Sequence, residues 1–192
     1  MNLAGATIAQ LTKSWQLKSY VRVIPKQFHC TPLSVGPGAS RFSSPGNDFL
    51  VLYAGRNLAT ALAETVIRDR FEGLNTRRLF IEEVQDRVAV QVSTKLPLRL
   101  LDIRKGGCLK LGISTDATGA KAQDETRAFS QYVHDETDVA GILYASRLTG
   151  ENCVVVFDRA IEDHLVVDRV VAMERLKSLE TALASLCIEL IS

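Results

Sequence analysis

The hydrophobic positions of this chain fall in short runs whose lengths are typical of β-strands. Residues 21–24 alternate apolar and polar side chains and are stopped by Pro25. Seven further runs predict strands at residues 50–54, 79–84, 88–92, 98–103, 141–145, 153–157 and 165–171. The pattern therefore predicts a protein built largely on short strands.

Three other segments predict α-helices, at residues 58–71, at the charged stretch 121–136 and at residues 174–190. Between Thr31 and Asp48, three prolines, three glycines and four serines predict a long irregular loop. The strands come in groups with helices between them, which favours an α+β fold with mixed β-sheets flanked by helices. The length of 192 residues predicts one compact domain, residues 1–192.

The composition narrows the classes of function. With 46% apolar and 23% charged residues, the chain has enough material for a hydrophobic core. Its formal net charge of +1 offers no broad basic field, so we expect no direct binding to nucleic acid or to a membrane surface. No apolar run approaches the ~20 residues of a spanning helix, and the first residues lack the features of a signal peptide. We therefore expect a cytoplasmic protein.

The four cysteines lie 34 or more residues apart, and only His29, beside Cys30, is a histidine close to a cysteine, so these residues form no metal or catalytic motif. The pairs CxxC and the motifs HExxH and GxSxG are absent from the sequence. These residues are Cys30, Cys108, Cys153, Cys187, His29, His134 and His164. We expect reduced thiols and no bound metal.

Glu64 lies on the polar side of the predicted helix 58–71. At ~100° per residue, the apolar positions of this helix spread over one side, centred near Val66, and Glu64 falls opposite them. One interpretation is a solvated ion pair with Arg68, worth about 0.2–0.5 kcal/mol. The other is that this polar face borders a cleft, and the helix alone leaves both open.

Further polar residues stand where strands end or loops bend. Tyr53 ends an aliphatic strand just before a turn, and Ser146 and Arg147 follow the strand 141–145. Arg41 stands in the irregular loop without an acidic residue in the six positions before it, and a guanidinium there could grip a phosphate. Each residue also has an ordinary interpretation, as a core tyrosine, as turn residues or as a solvated arginine.

Taken together, Arg41, Tyr53, Glu64 and Ser146 resemble the RES family, which is named for its arginine, glutamate and serine. The resemblance is carried by Val-Leu-Tyr-Ala-Gly leading into Thr-Ala-Leu-Ala-Glu-Thr-Val, and by the later Gly-Ile-Leu-Tyr-Ala-Ser-Arg-Leu-Thr-Gly. Where many members have Gly-Gly-Arg-Trp-Asn, this chain has Ala-Ser-Arg-Phe-Ser around Arg41. Arg22 is therefore a second candidate for binding a pyrophosphate.

The resemblance implies a fold similar to that of ADP-ribosyltransferases. It also implies a bacterial toxin of a toxin–antitoxin pair that consumes NAD by cleaving the bond between nicotinamide and ribose. The acceptor of the sugar is left open between water, phosphate and a protein target. The implied partner is a cognate antitoxin, an Xre-like DNA-binding protein. The rival interpretation is a non-catalytic interaction module that keeps the same fold.

The same resemblance gives the candidate residues their roles. Glu64 would stabilise the positive charge that builds on the ribose as the bond breaks. Arg41, with help from Arg22, would neutralise the pyrophosphate. Tyr53 would stack on the nicotinamide or form a hydrogen bond with the substrate, and Ser146 would fix its orientation.

The C-terminal segment carries a regular pattern of leucines. Leu176, Leu179, Leu183, Leu186 and Leu190 recur at intervals of 3, 4, 3 and 4 residues, which predicts an apolar seam along a helix at 174–190. This seam either docks on the protein's own sheet or serves a homodimer or the antitoxin.

Overall fold

The computed structural model describes residues 5–114 and 123–192. The described residues form ten strands: β1 Thr12–Trp15, β2 Tyr20–Pro25, β3 Val51–Gly55, β4 Arg78–Phe80, β5 Arg87–Thr94, β6 Leu98–Asp102, β7 Gly141–Ala145, β8 Asn152–Phe157, β9 Leu165–Ala172 and β10 Glu189–Ile191. They also form seven α-helices: α1 Gly5–Leu11, α2 Leu58–Leu62, α3 Ile81–Gln85, α4 Gly107–Leu111, α5 Asp124–Glu136, α6 Ile161–His164 and α7 Leu179–Ser185. A π-helix, Ala63–Ile67, continues α2, and 3₁₀ turns lie at Lys26–Phe28, Asp158–Ala160 and Met173–Arg175.

Eight of these strands form one mixed sheet in the order β1-β6-β7-β8-β3-β2-β5-β9. The pairing of β6 with β7 is parallel, and the other pairings in this sheet are antiparallel. The remaining two strands, β4 and β10, pair in parallel as a small second sheet. The predicted α+β class, with mixed sheets flanked by helices, is confirmed. None of the helices in the described part of the chain has the length and apolar character needed to cross a membrane.

The centre of the large sheet sets the position of the candidate residues. β3 and β7 both run antiparallel to β8, so they point in the same direction and end at the same edge of the sheet. Gly55 at the end of β3 and Tyr144 near the end of β7 are both opposite Cys153 of β8. The turn after β3 and the turn after β7 therefore emerge side by side.

The long irregular loop between β2 and β3 is confirmed, and it is anchored in the core. Phe42 has no exposed surface and packs its ring against Tyr144, with 5.0 Å between ring centroids. The guanidinium of Arg22 on β2 donates to the carbonyls of Pro32 and Ser34 at 3.0 and 2.9 Å. These contacts hold the loop, and with it Arg41, against the central strands.

Two predicted elements change their backbone conformation part-way along their length. The predicted helix 58–71 ends at Ile67, and its second half is the π-helix. The predicted strand 79–84 is strand only over Arg78–Phe80 and then becomes α3. The carboxylate of Glu83 accepts a hydrogen bond from the backbone N–H of Phe80 at 3.0 Å, which starts the helix. The predicted helix 121–136 is observed over Asp124–Glu136, and its first two residues lie outside the described residues.

The predicted continuous C-terminal helix is wrong. Residues 174–190 contain the end of a 3₁₀ turn, the short helix α7 and the start of β10, with Cys187 at a φ of 55° where the helix has ended. Leu179 and Leu183 are buried in a cluster with Leu62, and the other three leucines of the seam pack against that cluster. The regular spacing thus reflects docking on the protein's own core, which was one of the two expected alternatives.

Candidate active site

A cavity of about 170 Å³ opens at the edge where β3 and β7 end. Arg41, Tyr53 and Glu64 all line it, together with Tyr144 from β7. Ser146 is buried behind Glu64 and contacts its carboxylate. The fold thus brings these four predicted site residues together from four separate elements: the irregular loop, β3, the π-helix and the turn after β7.

The central contact is a hydrogen bond from the hydroxyl of Ser146 to Oε1 of Glu64, at 2.6 Å. The same hydroxyl accepts hydrogen bonds from the backbone N–H groups of Leu148 and Thr149, both at 3.2 Å. Because a serine hydroxyl has one proton and two lone pairs, these two donors direct its proton to the carboxylate. Ser146 therefore fixes one oxygen of Glu64 and leaves the other for a ligand.

The helix that carries Glu64 is held close to the sheet. Asn57 caps its start by accepting a hydrogen bond from the N–H of Thr60 at 2.9 Å. A Cβ on Gly55 would lie only 3.0 Å from the backbone nitrogen of Ala61, so the helix approaches as closely as a glycine permits. The hydroxyls of Thr60 and Thr149 are 3.1 Å apart and join this helix to the Ser146 turn.

Glu64 itself lies in the π-helix, a wider turn that is frequent at functional sites. The ion pair expected between its carboxylate and Arg68 is not formed, so that interpretation is wrong. Nε of Arg68 donates instead to the backbone carbonyl of Glu64, at 3.1 Å. The carboxylate is half-buried and faces Ser146 and the cavity, as the alternative interpretation expected.

Tyr53 uses its hydroxyl to hold the loop. This hydroxyl accepts a hydrogen bond from the backbone N–H of Phe42 at 2.8 Å and lies 3.1 Å from the hydroxyl of Ser40. Burial raises the pKa of Tyr53 to about 12, so the phenol stays protonated at neutral pH. The hydroxyl of Tyr53 is thus engaged by the loop, while the residue also lines the cavity.

Two other groups near Glu64 are kept neutral by their surroundings. Burial raises the pKa of the Tyr144 phenol well above its ordinary value. Burial and the charge of Glu64 raise the pKa of the Cys153 thiol to about 12. A thiol with this pKa is protonated at neutral pH and is a poor nucleophile. Of the two carboxylates that line the cavity, Asp69 is paired with Arg147, which leaves Glu64 as the one without an arginine partner among the described residues.

Arg22 lies next to this site, because it lines a small cavity of about 20 Å³ together with Tyr53 and Glu64. It does not line the 170 Å³ cavity but borders, with Tyr53, a separate cavity of about 160 Å³ under the irregular loop. Burial lowers the pKa of its guanidinium to about 10. No acidic side chain in residues 5–114 and 123–192 forms an ion pair with it, so its charge is balanced only by loop carbonyls.

The cavity is also lined by residues that the sequence pattern did not single out, among them Ser40, Arg68, Asp69 and Tyr144. Tyr144 and Arg147 flank Ser146 within the segment that resembles the RES family, so that segment held a signal for both. Arg147 forms an ion pair with Asp69. This pair joins the turn after the π-helix to the turn after β7, and only the tertiary structure reveals it.

No metal site is apparent in the described part of the chain. No group of three or more histidine, cysteine, aspartate or glutamate side chains there could hold a metal ion. The four cysteines are free thiols, of which Cys108 and Cys153 are buried.

Comparison with known proteins decides the family. The family model described as RES domain matches residues 19–176. The chain belongs to the RES domain family. All five predicted site residues of this RES domain lie within the matched range. A probable toxin, y4kH of Sinorhizobium fredii, is 39% identical to the RES domain over 83 residues, which are 42% of this chain and 65% of that protein. The match thus spans somewhat under two thirds of the relative's length.

A solved structure has the same fold. The RES domain is similar to a chain in the crystal structure of the M. tuberculosis MbcT-MbcA toxin-antitoxin complex, with a TM-score of 0.67 and 14% sequence identity. The similarity covers 88% of the RES domain and 93% of that chain. At this level of identity the likeness concerns the fold.

Proposed function

We propose that this RES domain is the toxin of a bacterial toxin–antitoxin pair and that it consumes NAD. The observation that carries the proposal is the carboxylate of Glu64, held by Ser146 at 2.6 Å in a cavity that also contains Tyr53 and Arg41. A fixed carboxylate beside an aromatic ring and a guanidinium matches three parts of NAD: the ribose next to nicotinamide, the nicotinamide ring and the pyrophosphate.

The proposed reaction breaks the bond between ribose and the nicotinamide nitrogen. The electron pair of that bond leaves with nicotinamide, whose ring loses its positive charge and needs no general acid. Positive charge then builds on the ribose, as in glycoside cleavage, and Glu64 stabilises it electrostatically. Tyr53 stacks on the nicotinamide, and Arg41 neutralises the pyrophosphate, with Arg22 as the second candidate for that role.

The acceptor completes the reaction by adding to the ribose and losing a proton. Water would make the protein a glycohydrolase, phosphate would make it a phosphorylase, and a protein side chain would make it an ADP-ribosyltransferase. The three candidates differ in their product: ADP-ribose, ADP-ribose phosphorylated at the sugar, or a modified protein. Identification of that product by mass spectrometry, with and without phosphate, distinguishes them.

The primary test is release of free nicotinamide from NAD by the purified protein. The expected result is turnover that does not require added metal. A folded protein that releases no nicotinamide in water, in phosphate or with cell extract would contradict the proposal and favour the non-catalytic interaction module.

The toxin assignment is supported by the relatives, one described as a probable toxin and one solved within a toxin–antitoxin complex. We propose that the partner is an Xre-like, DNA-binding antitoxin that covers the cavity near Arg41 and Glu64, and that the toxin acts on NAD in the cytoplasm. Co-expression with the cognate antitoxin should restore growth and suppress nicotinamide release. Release that continues at full rate in a stable complex would contradict this mode of inhibition.

A further inference from the structure

Arg68 has a backbone conformation that suits glycine. Its φ and ψ are 43° and −123°, directly after the π-helix. The N–H of Arg70 donates to the carbonyl of Ile67 at 2.9 Å, which closes a four-residue turn with Arg68 in second position. These dihedral angles are those of a type II′ turn, in which glycine dominates that position. An arginine there is strained, and such strain concentrates at ligand-binding sites.

The turn directs the Arg68 side chain to the cavity. Nε is tethered to the carbonyl of Glu64 at 3.1 Å, and the residue lines both the 170 Å³ cavity and an adjoining cavity of about 240 Å³. Within residues 5–114 and 123–192, no acceptor takes a hydrogen bond from its two terminal nitrogens. Arg70 differs, because both of its terminal nitrogens donate to Glu83.

Among the residues that the structure describes, no carboxylate forms an ion pair with Arg68. Its neighbour Asp69 is engaged by Arg147, and the carboxylate of Glu64 accepts from Ser146. Arg41, from the irregular loop, and Arg68, from the turn after the π-helix, both line the 170 Å³ cavity together with Tyr53.

We propose that Arg68 is a further substrate-binding residue and that its guanidinium binds a phosphate of the dinucleotide together with Arg41. This inference rests on the proposed function. A planar guanidinium can contact two phosphate oxygens at once, and its tether to Glu64 fixes it relative to the carboxylate. Glycine would relax this turn but would place no side chain at the cavity. The strain at Arg68 therefore accompanies the placement of its guanidinium there.

The test compares Arg68→Gln and Arg68→Gly with the wild-type protein. Both variants should bind NAD and ADP-ribose about 10-fold or more weakly by calorimetry, because charge-assisted hydrogen bonds to phosphate are lost. Arg68→Gly should also raise the Tm by about 2–4 °C, because glycine relieves the strained turn. Arg70→Gln is the matched control, since this arginine lines neither cavity, and it should bind both ligands as the wild type does.

The outcomes separate this inference from the proposed reaction. If the wild type binds NAD but releases no nicotinamide, the reaction is wrong, and the binding measurements still test Arg68. If both Arg68 variants bind NAD and ADP-ribose within twofold of the wild type, the role of Arg68 is overturned. If the wild type binds neither ligand, both proposals are overturned. Arg68→Gln keeps the native turn and gives the decisive comparison if Arg68→Gly is poorly folded.

Discussion

The hydroxyl of Ser146 donates a hydrogen bond of 2.6 Å to the carboxylate of Glu64, which lies 82 positions earlier in the sequence. The two residues come from different elements, a turn after β7 and the π-helix after α2. The serine is itself oriented by two backbone N–H groups, so the position of the carboxylate depends on the turn as a whole. This arrangement presents a carboxylate with one free oxygen to the cavity.

Replacing Glu64 with glutamine should abolish most NAD turnover while the protein remains folded. Glutamine keeps the shape and can still accept from Ser146, so we expect a loss of about 1 kcal/mol in the free energy of unfolding. Nicotinamide release should fall about 100-fold or more, because the charge that stabilises the sugar cation is gone. Glu82→Gln, an exposed glutamate on α3, is the control and should be fully active. Near-normal turnover by a folded Glu64→Gln would exclude Glu64 from the reaction.

Replacing Ser146 with alanine tests a positioning role. The variant leaves the N–H groups of Leu148 and Thr149 without their shared acceptor, and we expect a loss of about 1–3 kcal/mol in denaturant unfolding. The kcat for NAD should fall about 10-fold or more while KM changes little, because Glu64 loses its orientation but the substrate contacts remain. A rise in KM at unchanged kcat would instead indicate that Ser146 contacts the substrate directly.

The lysine variants of the two arginines rank them as pyrophosphate ligands. Arg41→Lys should raise the KM for NAD about tenfold with a nearly unchanged Tm, since lysine cannot make the two-pronged contact. Arg22→Lys should lower the Tm by about 2–4 °C, because its guanidinium joins the carbonyls of Pro32 and Ser34. If Arg22→Lys shows the larger rise in KM, the pyrophosphate lies on the side of the 160 Å³ cavity.

The loss of folding stability at low pH should depend on Asp102, at the end of β6. Burial raises the pKa of this carboxyl, but hydrogen bonds from Arg104 and Lys13 outweigh burial and lower it to about 2. Because the folded pKa lies below the ordinary 3.8, the stabilisation is complete above about pH 4 and is lost as the pH falls towards 2. It amounts to about 2 kcal/mol.

The measurement is the Tm of the wild type and of Asp102→Asn between pH 7 and pH 2. The variant should be less stable at pH 7 and should lose less stability than the wild type between pH 4 and pH 2. If the Tm of the two proteins falls in parallel between pH 4 and pH 2, another carboxylate controls the loss of stability at low pH.

The sequence by itself determined the α+β class and most of the strands of the large sheet, and it predicted the candidate site residues. Strand runs such as Gly141–Ala145 are short, apolar and bounded by polar turns, so local pattern is enough to find them. The site residues were found because their types and order resemble a family, not because their spacing implies a cavity. The strand pattern and the family resemblance both come from residue types and their order along the chain.

Only the tertiary structure decided what those residues contact and where the local pattern misleads. The helical pattern left open whether Glu64 pairs with Arg68 one turn away or borders a cleft. The tertiary structure gives it the hydroxyl of Ser146 as its partner, brought close by the β3-β8-β7 order. The C-terminal leucines have the period of a helix, yet burial against Leu62 is satisfied equally by a short helix and a strand. Periodicity reports which side chains need burial. Long-range packing decides which backbone conformation provides it, and no local pattern encodes the choice.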